Sequence, residues 1–496
     1  MKKLTLAFGV GCACAVRLNA EPALTIYNQN FAVVRDSVPL TLKAGINTVR
    51  FGNATAHVEP DSVILRDVEG KRPLQILEQN YRNDPVSQEL LLSMFEGKTV
   101  EFESVRHVKG DDTSELIPGK VIRSGYVPGG GSEQPIIEVN GKLQFYLPGR
   151  PQFPSLGEDT ILKPSFNWLL QTDTDGKVDA EVGYVTTGFT WEADYNLVSP
   201  EHGDLVDMVG WITMGNHSGK TFENARIKLM AGDVNKIQPA QTRNYRMQLM
   251  EKSASMVSDR LGVTEKSFDD FHLYSIERPT TLHDRETKQV EFIQATGVKA
   301  PAIYIYDGAA GYRFYGGFND SRDYGTGSNK KVAIYREFVN SETNQLGIAL
   351  PKGRLRFYRR DEDGQLEFVG ENTIDHTPRN ETLRVSTGNS FDLVGERKQL
   401  DFAIHQVPVT QTSPAVGQGS KKNMTVVDES FEIKLRNRKK EPVNIKVVEH
   451  LYRWSNWNIQ KNSDDFKKTD SQTIEFDVPV QPDQEKVITY KVQYSY

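Results

Sequence analysis

The chain has 496 residues; 38% are apolar, 9% aromatic and 25% charged, and the formal net charge is −6. That apolar and aromatic content excludes a disordered chain, and no internal run reaches the ~18 apolar residues of a membrane-spanning helix. A mildly acidic balance also lacks the basic stripe of nucleic-acid binders, so no nucleic-acid partner is expected.

Met1, Lys2 and Lys3 form a positive n-region, residues 4–16 an apolar h-region, and Ala20 precedes Glu21-Pro22. This is the layout of a secretory signal peptide over residues 1–20, which predicts a periplasmic or secreted bacterial protein with no transmembrane span after cleavage. Both cysteines, Cys12 and Cys14, lie in that segment. The mature chain would then have no thiolate nucleophile, disulfide or Cys-ligated zinc. The residues before the two cysteines lack the large aliphatic of a lipidation site.

Downstream, alternation with period two dominates. Residues 21–85 read as a small all-β unit of short strands between Gly, Asn, Asp and Pro. Asp84-Pro85 is expected to start one helix over 86–95, with Asp as cap, Pro at the first position and Gly97 as the stop. Residues 86–157 read as a second small β unit carrying that helix, barrel-like in character. Longer strands follow from 165, and 158–496 is expected to be a large β-sandwich region. Thr172-Asp173-Thr174-Asp175-Gly176-Lys177 reads as a hairpin turn, as does Asp361-Glu362-Asp363-Gly364, because Asp-Gly supplies the positive φ of tight turns. Two insertions interrupt the pattern, near 238–268 and 307–330. The first can form a helix over 244–261; the second mixes six glycines with five aromatics. Many strands, turn residues between them and no βαβ rhythm give an all-β fold of tandem sandwich or small barrel units with one or two short helices.

Trp168-Leu169-Leu170 and the run from Gly183 through Trp191, Glu192, Ala193, Asp194 and Tyr195 carry a resemblance. So do Asn216-His217-Ser218-Gly219 with 225–232, Asn340–Gly347 with Leu350-Pro351-Lys352-Gly353, and Gly370-Glu371-Asn372 with Asp375-His376-Thr377-Pro378. These stretches resemble the C-terminal domain, of unassigned function, of the exported bacterial mucoidy-inhibitor-like family. The resemblance implies a multi-sandwich exported protein of unknown biochemical activity, in a family named for an effect on surface polysaccharide. It marks Trp191, Asp194, Tyr195, Asn216, Asn340 and His376 as motif positions of unknown role. Longer members often carry a coiled coil, and no heptad run of the required length occurs here.

No chemistry stands out. Gly-x-Ser-x-Gly is absent, and Ser132 and Ser328 sit in Gly-rich loops. There is no His-Glu-x-x-His; His272 and His283 are scattered, and Asp173–Gly176 lacks the closing acid of a calcium loop. No catalytic residue, metal site or cofactor is therefore assigned. Glu192 and Asp194 lie two apart on one strand face rather than across a cleft. His376 reads as a turn residue bonding backbone, since Asp375 beside it on an extended chain points away. Trp454 and Trp457 read as core. The leading expectation is a non-enzymatic protein that binds an envelope protein or glycan; the alternative is an envelope hydrolase of polysaccharide or peptidoglycan working through carboxylates. In the 307–330 loop, Tyr312, Tyr315 and Tyr324 are the candidates to stack on such a partner; the alternative is that Phe314 and Phe318 tuck into the sandwich and pin the loop, with no ligand.

Overall fold

A computed structural model describes residues 21–496 apart from 109–110, 128–132, 155, 157–159, 201–202, 233, 237–262, 269, 311–316 and 412–419; at 106–108, 111–113, 409–411 and 420–422 it describes the backbone alone. Strand accounts for 64% and helix for 3%, so the fold is all-β with multiple sheets. The helix expected over 244–261 and the rings of Tyr312, Phe314 and Tyr315 lie outside the described residues.

One unit comprises residues up to 191 with 214–230 and 275–288. Strand Ala23–Tyr27 pairs antiparallel with Phe31–Leu42 and parallel with Phe222–Ala231, while Phe31–Leu42 pairs along its length with Gly176–Thr187. Ser165–Thr172 lies between Gly45–Gly52 and Gln75–Arg82 in a separate three-stranded sheet. Phe166 of that sheet meets the edge of Tyr184 of the other at 5.9 Å, and Trp168 is sealed beneath. Residues 21–85 therefore do not close as a unit of their own: each of their five strands pairs with 165–187 or 222–231. The turn at 172–177 is also not a hairpin. Gly176 has the expected positive φ of 129°, but its flanking strands belong to different sheets, so the chain arches from one layer to the facing one.

Within the same unit a five-stranded sheet runs in the order Arg150–Gln152, Thr99–Val108, Asp111–Arg123, Ile136–Val139, Lys142–Gln144 around its own core of Leu92, Val100, Phe102, Val121, Ile137 and Val139. Its helix is Gln88–Met94, shorter than expected. The cap is Ser87, whose Oγ accepts from Leu90 N at 3.1 Å, rather than Asp84. Ser87 competes successfully because its hydroxyl reaches the third helical N–H, whereas Asp84 accepts from the Tyr126 hydroxyl.

The second unit, 192–213, 231–274 and 289–496, includes two further sheets beside the strands Val263–Phe268 and Phe271–Ile276. The five-stranded one is ordered Glu286–Lys299, Leu205–Asn216, Phe189–Ser199, Gly353–Arg360, Leu366–Ile374. The last two form the expected hairpin over Asp361–Gly364, with Gly364 at φ 83°. The nine-stranded sheet is ordered Trp457–Asn462, Glu485–Ser495, Ser420–Asn437, Thr382–Gln411, Lys331–Val339, Ala302–Asp307, Val443–His450, Thr473–Val480, Phe466–Lys468. Phe476 and Tyr490 lie on strands far apart in that order, yet their rings are 6.0 Å apart. The sheet thus folds over on itself and encloses Tyr306, Phe431, Ile433, Ile445, Val447 and Phe476. Trp454 and Trp457 pack against this core, as their spacing suggested.

Three strand ends use one device. Asn216, Asn340 and Asn437 are each wholly buried at or just past the end of a strand. Asn216 Nδ2 donates to the carbonyls of Lys220, Leu282 and His283 at 2.8–3.2 Å, and its Oδ1 accepts from Ser218 N and Oγ. Asn340 donates to Ile348 and Pro378 and accepts from Gly347 N; Asn437 donates to Glu441 and Val480 and accepts from Lys439 N. An amide carries both donors and acceptor, so one side chain satisfies the backbone of a buried loop on two sides.

Candidate functional site

The interior of the nine-stranded sheet carries charge. Alternation along 443–450 directs Glu449 to the same side as Val443, Ile445 and Val447; alternation along 420–437 directs Glu429 with Phe431, Ile433 and Leu435. Arg397 lines up with Leu393 and Gly395, and Arg453 follows Leu451. All four charged side chains are 3% exposed or less.

They form two ion pairs. Arg397 Nε lies 3.0 and 2.9 Å from the two oxygens of Glu449, which also accepts from the Tyr490 hydroxyl. The Arg397 guanidinium sits 3.9 Å from the centre of the Phe431 ring. Burial works against its charge, but Glu449 and Tyr490 outweigh burial and hold its pKa above the ordinary arginine value. Burial, then Glu449, raises Tyr490 well above the usual tyrosine range, so its hydroxyl stays a donor. Arg453 grips Glu429 bidentately, with Nε–Oε2 3.0 Å and Nη2–Oε1 2.7 Å. A buried charge needs pairing and hydrogen bonds together, and both pairs have them.

What the remaining donors do defines the site. Arg453 Nη1 donates to the carbonyls of Asn319 and Ser321 at 2.6 and 2.9 Å, and Nη2 to that of Tyr324 at 3.0 Å. Arg397 Nη1 donates to Gly325 O at 2.7 Å, and its backbone N–H to Ser328 Oγ. All five carbonyl and hydroxyl acceptors belong to the 307–330 loop. At its neck, Asn329 Nδ2 donates to the carbonyls of Asp307 and Gly308, and the Tyr306 hydroxyl to Asn329 O; burial pushes that hydroxyl up to about 12. Phe318 stacks on Tyr496 at 4.5 Å and meets the edge of Trp454. The loop is thus fastened to the sheet by two interior guanidiniums, a neck amide and one aromatic stack. Tyr324 is corrected to a buried position: it is 8% exposed, with the Arg453 guanidinium 5.6 Å from its ring centre, and presents no face to a partner.

The family-motif positions are structural in their contacts. Trp191 is buried and donates to Met230 O at 3.3 Å; Tyr195 is wholly buried and donates to Pro351 O at 2.7 Å. Asp194 is buried, accepts from Thr213 Oγ1 at 3.0 Å and has Arg356 3.5 Å away, whereas Glu192 on the same strand is exposed. The two do not face one another across a cleft. His376 Nδ1 accepts from Lys352 N at 3.1 Å, the backbone-bonding turn role read from the sequence, while the Asp375 side chain stands in solvent. Among the described residues no three His, Cys, Asp or Glu side chains converge as a metal site, and no helix is long and apolar enough to cross a membrane. Sequence reading missed Arg397, Glu429, Glu449 and Arg453; the signal was present as charged residues sharing the inward parity of apolar strands.

A family model described as a domain of unknown function, DUF4139, matches residues 180–496, well over half of the chain. No curated protein and no solved structure matches it. The matched stretch contains Trp191, Asp194, Tyr195, all three buried asparagines and both interior ion pairs, and the chain belongs to the DUF4139 family.

Proposed function

We propose that this protein is an exported, non-enzymatic β-sandwich protein that recognises a protein or glycan at the bacterial cell envelope through the surface of its 307–330 loop. The observation that carries the reading is the fastening of that loop by Arg397 and Arg453. Two buried arginines give their spare donors to the carbonyls of a Gly-rich surface loop. The fastened part, 317–330, is held before any partner arrives, and a segment so held loses less conformational entropy on binding. The loop also carries more aromatic residues than an inert solvated connection would, and long loops without secondary structure of their own in compact domains are commonly functional. Export rests on the signal-like residues 1–20, and the envelope setting on the likeness to mucoidy-inhibitor-like proteins.

The test separates two kinds of tyrosine in one loop. Y312A/Y315A is expected to keep the wild-type melting temperature and to lose retention on immobilised envelope glycans or envelope protein fractions. Y324A, which empties a buried site, is expected to lower the melting temperature. Retention unchanged in Y312A/Y315A would remove the loop as the recognition surface. A native N-terminus at Glu21, read by intact mass, checks export.

A further inference from the structure

The second unit contains a slot of about 330 Å3 that the loop does not touch. One wall is Phe292, Ile293, Gln294, Ala295 and Thr296; the others are Val263, Glu265 and Tyr274 from the segment before them, and Gln345, Leu346 and Ile348. Successive side chains of a strand point to opposite faces. A space bounded by five consecutive residues therefore runs along the edge of their strand, not over one face. That strand, Glu286–Lys299, is the last in its five-stranded sheet, paired among the described residues with Leu205–Asn216 alone. Five residues span roughly 14 Å at strand rise, room for about four residues of a second extended chain. The volume lies within the range of pockets that hold real ligands.

The slot has a sign. The Glu265 side chain is 8% exposed, and its Oε1 lies 2.7 Å from His272 Nδ1. Among the described residues the lining holds no Lys or Arg, and its other polar groups are the uncharged amides and hydroxyls of Gln294, Thr296, Gln345 and Tyr274. An exposed strand edge is a template for uncontrolled pairing. Here residues of 263–274 and 345–348 line the space beside that edge, and the Glu265 carboxylate stands in the wall.

We propose that the slot binds an extended peptide segment bearing a basic side chain, which adds as a strand to the edge of Glu286–Lys299 and sets its cation against Glu265. Main-chain hydrogen bonds to the edge would supply affinity, and the carboxylate selectivity, as in other strand-addition complexes. This surface is independent of the 307–330 loop, so either can fail without the other.

The probe is a blocked hexapeptide of alternating Lys and Val, fluorescently labelled, with a Glu-Val counterpart and two forms N-methylated on alternate residues. Anisotropy titrations with the mature protein are expected to show saturable binding of the Lys-Val peptide and none of the Glu-Val peptide. E265Q keeps the shape and removes the charge; it is expected to weaken the Lys-Val peptide by about tenfold or more, the scale of one charge-assisted hydrogen bond. One N-methylated form should lose binding and the other keep it, because only alternate N–H groups face the edge. Absence of saturable binding at millimolar peptide overturns the proposal. So does binding that survives both N-methylations, which would be charge attraction without strand addition, or binding unaltered in E265Q.

Discussion

Replacing Arg453 with Met tests whether the interior pair fastens the loop. The substitution keeps an unbranched apolar stem but removes five N–H donors. Among the described residues Glu429, 3% exposed, would keep the Gln399 amide at 2.8 Å alone, and the carbonyls of Asn319, Ser321 and Tyr324 would lose the guanidinium donor, Ser321 O keeping the Tyr324 N–H. Removing one partner of a buried pair costs about 3–5 kcal/mol, because the other charge stays buried. The loop carbonyls can turn to water and add little. At roughly 2–4 °C per kcal/mol for a domain of this size, the melting point should fall by about 6–20 °C. Urea unfolding of R453M, E429L and the double variant closes a cycle. The double variant should recover much of the loss, since it buries no lone charge. Trypsin cleavage after Arg322 should also accelerate in R453M, because the segment 319–324 is released. A loss under about 1 kcal/mol, or cleavage at Arg322 as slow as in the wild type, would show that Arg453 does not hold the loop.

Gly395 has no room for a side chain, because a Cβ there would overlap the Tyr306 ring; G395A is expected to cost about 1–3 kcal/mol by overpacking, read by urea midpoint at constant m-value. Asn216 faces three carbonyls with its amide nitrogen; N216D sets a carboxylate against them and should destabilise by more than about 3 kcal/mol at neutral pH, with partial recovery in acid as the carboxyl protonates. Burial disfavours the His450 cation, but the hydrogen bond and charge of Asp307, 3.0 Å away, prevail and raise its pKa. A raised folded-state pKa means the stabilisation is complete below the unfolded value of about 6.5 and is lost as pH rises through the folded one. The melting temperature gap between wild type and H450Q should therefore be widest in mild acid and narrow towards alkaline pH; a gap that widened with pH would refute the assignment.

Period two and turn chemistry made the all-β class readable, because both are local. Sheet membership was not, because it is set by pairings across hundreds of residues. The Asp-Gly turn at 172–177 shows the difference. Its composition announces a reversal with positive φ at Gly176, and the reversal occurs, but nothing local tells whether the next strand pairs with the previous one or crosses to the facing layer. The N-terminal strands show it again: Ala23–Tyr27 looks like the start of a small unit, yet its parallel partner is Phe222–Ala231, some two hundred residues on. Helix initiation failed on a finer scale. Asp84-Pro85 and Ser87 are both legitimate starts, and the side chain that reaches a free helical N–H decides.

The interior charges were half readable. Parity alone places Glu429 beside Phe431 and Glu449 beside Val447 on the inward face, and a charge there demands a partner. Which partner depends on strand order. Arg397 and Glu449 meet because Thr382–Gln411 and Val443–His450 belong to one sheet that folds over, and Arg453 reaches Glu429 across 24 residues for the same reason. The same closure brings the 307–330 loop over both guanidiniums. Its glycines then acquire a second meaning. They free the backbone for irregular turns, and at Gly308 the missing Cβ leaves space for the Arg397 stem, which a methyl would meet at 2.8 Å. Composition identifies such a stretch as unusual; the charges beneath it explain why its segment 319–328 is held. The segment 319–328 is costly to release for the same reason, because release would leave two buried guanidiniums short of acceptors.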